Sequence, residues 1–166
     1  MQKYIYTSSQ IMQMFQRFTP LVEVFSIDEA FLDVSSTKSS FGDEISIAKE
    51  IKRWIREHFH ITCSIGIGPN KLLAKLAGEL KKPDGLVVLK PEDIPGKIRD
   101  LRVSELCGIG KKTEAYLNQM GIQTFFDLHR TRRAVLVRRF GAAFGERLYF
   151  MGQGMDFSPV LPCDAH

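Results

Sequence analysis

The chain has 166 residues, 44% of them hydrophobic and 25% charged, with a formal net charge of +4. That length suits one ordinary domain or two small ones, and the composition supports a genuine core. No run approaches the roughly eighteen apolar residues of a membrane span, and Met1-Gln2-Lys3-Tyr4 has no signal-peptide core, so the expected location is the cytoplasm.

Tyr4 to Phe18 carries apolar residues at helical spacing and stops at Thr19-Pro20. Two short strands, 21–27 and 30–35, follow, both β-branched or aromatic, and a polar connector over 35–42 comes next. A helix over Asp43–Phe59 places Ile45, Ala48, Ile51, Ile55 and Phe59 on one face. Residues 61–67 alternate as a strand, a third helix starts at Pro69 or Asn70, Lys82-Pro83-Asp84-Gly85 is a turn, and 86–89 is a buried strand. Beyond Leu89 the strand signals cease. Short helices are expected at about 91–99, 103–107, 112–119, 124–129, 131–139 and 144–151, and an extended tail after them.

This order gives an α+β chain. Its first part reads as an incomplete ferredoxin-like layout, an antiparallel sheet with helices on one face, opening on a helix where a complete unit opens on a strand. Its second part is small and all-helical, with the boundary near Lys90. A sheet short of a strand leaves an unpaired edge, which invites a dimer partner without requiring one. Cys63, Cys107 and Cys163 are scattered and odd in number, as expected of buried reduced thiols rather than a disulfide frame or zinc site.

Asp28 and Glu29 interrupt the apolar stretch 21–34 at the junction of the two strands. Charge held against a core needs compensation, and a pair of hard oxygen donors makes these acids a candidate Mg²⁺ site of the kind that handles phosphates. The glycines of Ile65-Gly66-Ile67-Gly68-Pro69 match neither nucleotide-loop spacing and read as structural. Lys82 leaves a helix end at a fixed turn, where its ammonium could reach a triphosphate, although a lysine there also suits the helix dipole.

Residues 1–100 hold 14 Lys/Arg against 13 Asp/Glu, and residues 101–166 hold 9 against 6, so the positive excess lies toward the C-terminal end. There Cys107-Gly108-Ile109-Gly110-Lys111-Lys112 sets two glycines between short helices. Such glycines let a phosphate approach backbone amides at a helix start, and Lys111 and Lys112 strengthen the site without reading a base. With its apolar frame of Val103, Leu106, Ile109, Leu117 and Ile122, the segment resembles a helix-hairpin-helix. Arg130, Arg132, Arg133, Arg138 and Arg139 form a second basic cluster, read by default as a solvated face.

Ser26-Ile27-Asp28-Glu29-Ala30-Phe31-Leu32-Asp33, then residues 63–77, then Lys82-Pro83-Asp84-Gly85 and the 107–110 hairpin, taken together and in this order, resemble the Y-family translesion DNA polymerases of the DNA polymerase IV type. The resemblance implies that residues 1–89 are part of the palm, 90–152 the thumb, and 153–166 a linker toward a little-finger domain. It implies that Asp28 ligates two catalytic Mg²⁺ ions, that Glu29 helps hold the metal near the primer 3′-hydroxyl, and that Lys82 meets the triphosphate of the incoming dNTP. It implies DNA binding through Gly108, Gly110, Lys111 and Lys112, with primer-template DNA as partner. It further implies a first metal-binding aspartate and fingers before this chain, and a little finger and sliding-clamp peptide after it. The expectation is a palm–thumb fragment with little activity alone; the alternative is a non-catalytic, sequence-independent DNA-binding module.

Overall fold

The computed structural model describes residues 2–162, with backbone only for Lys38 and Ser39. Cys163 and the end of the expected linker lie outside the described residues. The chain divides into two compact units, each assembled from separate stretches: residues up to Ile65, Lys81–Leu86 and Ser158 onward form one, and Gly66–Leu80 with Val87–Phe157 form the other.

The first unit opens on α1 (Gln2–Phe15) and continues through β1 (Val22–Val24), β2 (Ala30–Leu32), the single turn α2 (Lys38–Phe41) and α3 (Glu44–Phe59). Buried Thr19 steers the chain from α1 into β1: its hydroxyl donates to the Asp33 carbonyl (2.6 Å) and accepts from the Leu21 N–H (3.1 Å). β1 and β2 pair antiparallel, with Val22 opposite Leu32 and Val24 opposite Ala30. The strands are half the expected length, three residues each. α2 falls in the expected polar connector, where Phe41 meets the ring of Phe18 at 5.5 Å. α3 starts where Asp43 accepts the Ser46 N–H (2.8 Å) and ends at His60 in the left-handed region, φ 56°. Its buried face is Ile47, Ala48, Ile51 and Ile55, which join Met14 and Phe18 in the core, while Ile45 turns outward.

The second unit contains α4 (Lys71–Glu79), three 3₁₀ turns at Pro91–Asp93, Gly96–Ile98 and Val103–Glu105, and then α5 (Lys111–Gln119), α6 (Phe125–Arg130), α7 (Arg133–Phe140) and α8 (Ala142–Gly152). Asn70 caps α4, accepting the Leu73 N–H (2.9 Å) through its side-chain oxygen while its amide donates to the Gly154 carbonyl (2.9 Å). Leu72, Leu73, Leu76 and Ala77 of α4 share one buried core with Leu89, Ile98, Leu106, Leu117, Phe125, Leu128, Leu136 and Leu148. Compactness therefore does not follow the boundary expected near Lys90, since α4 packs among the later helices.

β3 (Ile65–Ile67) pairs with β4 (Leu86–Val88), and the unit division falls inside both strands. The Ile65 N–H donates to the Gly85 carbonyl and the Leu89 N–H to the Ile67 carbonyl, so the strands run in the same direction. A helical crossover permits this pairing, and α4 is that crossover. Gly66 allows it: a β-carbon there would lie 2.0 Å from the Ala74 carbonyl oxygen and 2.2 Å from the Gly78 nitrogen.

Candidate catalytic turn and nucleic-acid interface

Asp28 and Glu29 sit in the turn between β1 and β2. The Phe25 and Ser26 N–H groups both donate to the Glu29 carbonyl, at 2.9 and 3.1 Å, closing the turn. The Ser26 hydroxyl donates to Asp28 Oδ1 (2.7 Å), and Ser8 on α1 donates to the Ile27 carbonyl. The acids are not held against a core, as the apolar run had implied. Asp28 is exposed, and so are its neighbours Val24, Phe25 and Ile27, because pairing stops at Val24 and the turn carries these side chains into solvent. Glu29 is half-buried, whereas the exposed carboxylate of Asp28 needs no compensation, so the metal reading rests on donor chemistry. Hard oxygens suit Mg²⁺, which is commonly held by one or two carboxylates together with waters and substrate phosphates. Among the described residues no group of three or more His, Cys, Asp or Glu is placed to hold a metal by itself.

Lys82 is exposed on the turn that follows α4. That turn is gripped from α3: Lys52 Nζ donates to the carbonyls of Cys63 (2.5 Å) and Asp84 (3.0 Å) and to Asp84 Oδ1 (2.5 Å). Arg56 donates to the other carboxylate oxygen of Asp84, and the Gly85 N–H donates to Ser64 Oγ (3.1 Å). The Lys52 hydrogen bond, aided by the charges of Lys52 and Arg56, holds the Asp84 carboxyl below the usual range, whereas burial pushes the neighbouring Cys63 thiol up. Sequence reasoning missed Lys52. Its spacing from Arg56 on one helix face was visible, but the contact with Asp84 spans too much chain to be seen in a pattern.

In the second unit, Gly108 and Gly110 are exposed on either side of buried Ile109, which anchors the loop to the core. Gly108 needs its glycine for a φ of +96°. Gly110 caps α5, and a β-carbon built on it would meet nothing within 4 Å, leaving its backbone open to a ligand. Lys111 and Lys112, both exposed, follow in the first turn. The later arginines separate by their partners: Arg133 is paired with Glu146, and Arg139 stacks over Tyr116 at 4.4 Å. Cys63 and Cys107 are half-buried free thiols, and no helix among the described residues is long and apolar enough to cross a membrane.

Two family models match: the impB/mucB/samB family over residues 1–79 and the DNA polymerase-iota thumb domain over residues 104–156. DNA polymerase IV of Moorella thermoacetica is 48% identical over 159 residues, covering 96% of this chain and 40% of the relative. The chain belongs to the Y-family DNA polymerases, of the DNA polymerase IV type. Among solved structures, a Y-family DNA polymerase chimera is 34% identical with a TM-score of 0.82, over 95% of this chain and 46% of that one. An insertion ternary complex of Dbh DNA polymerase is 34% identical with a TM-score of 0.81, over 95% and 46%. This Y-family chain thus spans less than half the length of the proteins it resembles. Its α+β character and helix-hairpin-helix thumb agree with the fold expected from sequence.

Proposed function

We propose that this chain supplies palm and thumb elements of a cytoplasmic translesion DNA polymerase, which transfers a nucleotide from a dNTP to a primer 3′-hydroxyl on a template. The observation that carries this reading is the exposed, hydrogen-bonded Asp28–Glu29 turn in a chain of this family. Asp28 and Glu29 would hold Mg²⁺, which in two-metal sites stabilises both the attacking and the leaving oxygen. The hydrogen bond from Ser26 helps orient the Asp28 carboxylate through Oδ1. Lys82 would neutralise triphosphate charge from a turn that the Lys52–Asp84–Arg56 clasp keeps rigid. Residues 1–89 would serve as palm, 90–152 as thumb and 153–166 as linker.

Primer extension with Mg²⁺ and dNTPs tests the reading in the protein that carries this chain. Asp28→Ala is expected to reduce extension to background and leave duplex binding intact; extension that survives the substitution overturns the catalytic assignment. The 166 residues alone are expected to bind primed DNA without extending it, because the two acids are joined by no third ligand among the described residues.

A second reading, a DNA-binding module acting through the hairpin, is favoured by the open backbone at Gly110. It predicts salt-sensitive, sequence-indifferent duplex binding lost in Gly110→Leu and unchanged in Asp28→Ala.

A further inference from the structure

We infer that Arg147, on α8, is a second arm of the hairpin's phosphate site and contacts the DNA strand that the Gly108–Lys112 backbone approaches; this rests on the DNA-binding reading above. A β-carbon built on Gly108 would lie 3.2 Å from Nη2 of Arg147 and 3.7 Å from its Cζ, so the guanidinium lies against the loop where Gly108 has no side chain. Gly108 and Arg147 are both exposed. The position of Arg147 is fixed from below, since Gly145 and Leu148 on the same helix are buried.

Three other arginines of this unit are engaged elsewhere, and what sets Arg147 apart from the rest is its guanidinium lying against Gly108. Arg133 is tied to Glu146, Arg139 lies over Tyr116 and Arg99 over Phe126. Among the described residues no carboxylate pairs with Arg147. An unpaired guanidinium keeps its planar fork of donors available, and that fork matches two oxygens of a phosphate. Arg147 against Gly108, and Lys111 and Lys112 directly after Gly110, bring three cations to one loop. They repel one another unless a polyanion lies among them. A phosphate contact of this kind adds affinity and orientation but no base preference.

The test is duplex binding by fluorescence anisotropy across a salt series, using two oligonucleotides of unrelated sequence. Arg147→Ala is expected to weaken both equally, by several-fold at low salt, and to reduce the log–log salt slope by about 0.9. Arg147→Lys should restore most of the slope, since it keeps the charge, and only part of the affinity. Arg133→Ala, on a residue already paired, should leave the slope unchanged. A parental slope in Arg147→Ala overturns the inference. If Gly110→Leu and the Lys111→Ala/Lys112→Ala pair weaken binding while Arg147→Ala does not, this inference alone fails. If none of them weakens it, the hairpin reading fails as well.

Discussion

Lys52 Nζ lies 2.5 Å from Oδ1 of Asp84, joining the middle of α3 to a turn 32 residues further along. The lysine is mostly buried, and it also serves the carbonyls of Cys63 and Asp84. Lys52→Met would keep the aliphatic stem and remove every donor, leaving these acceptors unsatisfied. A loss of about 1–3 kcal/mol in urea unfolding is expected. A loss below about 0.5 kcal/mol, the range of unremarkable surface changes, would show that water replaces the lysine without cost.

The same contact sets a pH dependence. Asp84 titrates below the usual carboxylate value of about 4 in the folded chain because Lys52 and Arg56 favour its ionised form. Its folded pKa is depressed, so its contribution is complete above the unfolded value and is lost as pH falls through the folded one. Melting temperatures of the parent and Asp84→Asn should therefore differ most near neutrality and converge on the acid side. A gap that stays constant down to pH 3 would contradict the assignment.

Gly66→Ala should be among the most damaging small substitutions. The added methyl would sit 2.0 Å from one backbone atom of α4 and 2.2 Å from another, and neither can rotate away as a side chain would. Overpacking of this kind costs about 1–3 kcal/mol, and more where backbone must shift. Thermal unfolding and soluble yield are the readouts; a variant as stable as the parent would mean that β3 and α4 lie further apart than described.

Asp28→Ala should do the opposite. The carboxylate is exposed, and its described partner is the hydroxyl of Ser26, also in the turn. Stability is expected to stay within about 0.5 kcal/mol of the parent. A loss beyond that would mean the acid supports the turn, and the lack of extension expected of this variant would then have a structural explanation.

Helices with strong periodicity and a polar cap were legible in the sequence. α3 shows both, with Asp43 before it and Ile51 and Ile55 along it, yet its face turns further than expected, burying Ile47 and exposing Ile45. The helices expected at 91–99 and 103–107 settle instead into three 3₁₀ turns, Pro91–Asp93, Gly96–Ile98 and Val103–Glu105, with Pro95 interrupting the first run. The strands were overread because β-branched and aromatic residues continue past the last paired position, as at Phe25 and Ile27. Composition cannot say where pairing stops. The acid pair, Lys82 and the hairpin glycines could be picked out because their residue types stand out locally, while Lys52 and Arg147 acquire a role only through neighbours distant in sequence.

Neither compact unit is a contiguous stretch of chain. A gene-level exchange with a relative at residue 90 would take Leu106, Leu117 and Leu136 from one parent and Leu72, Leu73 and Leu76 from the other, splitting a single buried cluster between two histories. Side chains that touch in that cluster are constrained to change together. For recombination, the smallest portable piece of this second unit begins at Gly66 and ends at Phe157.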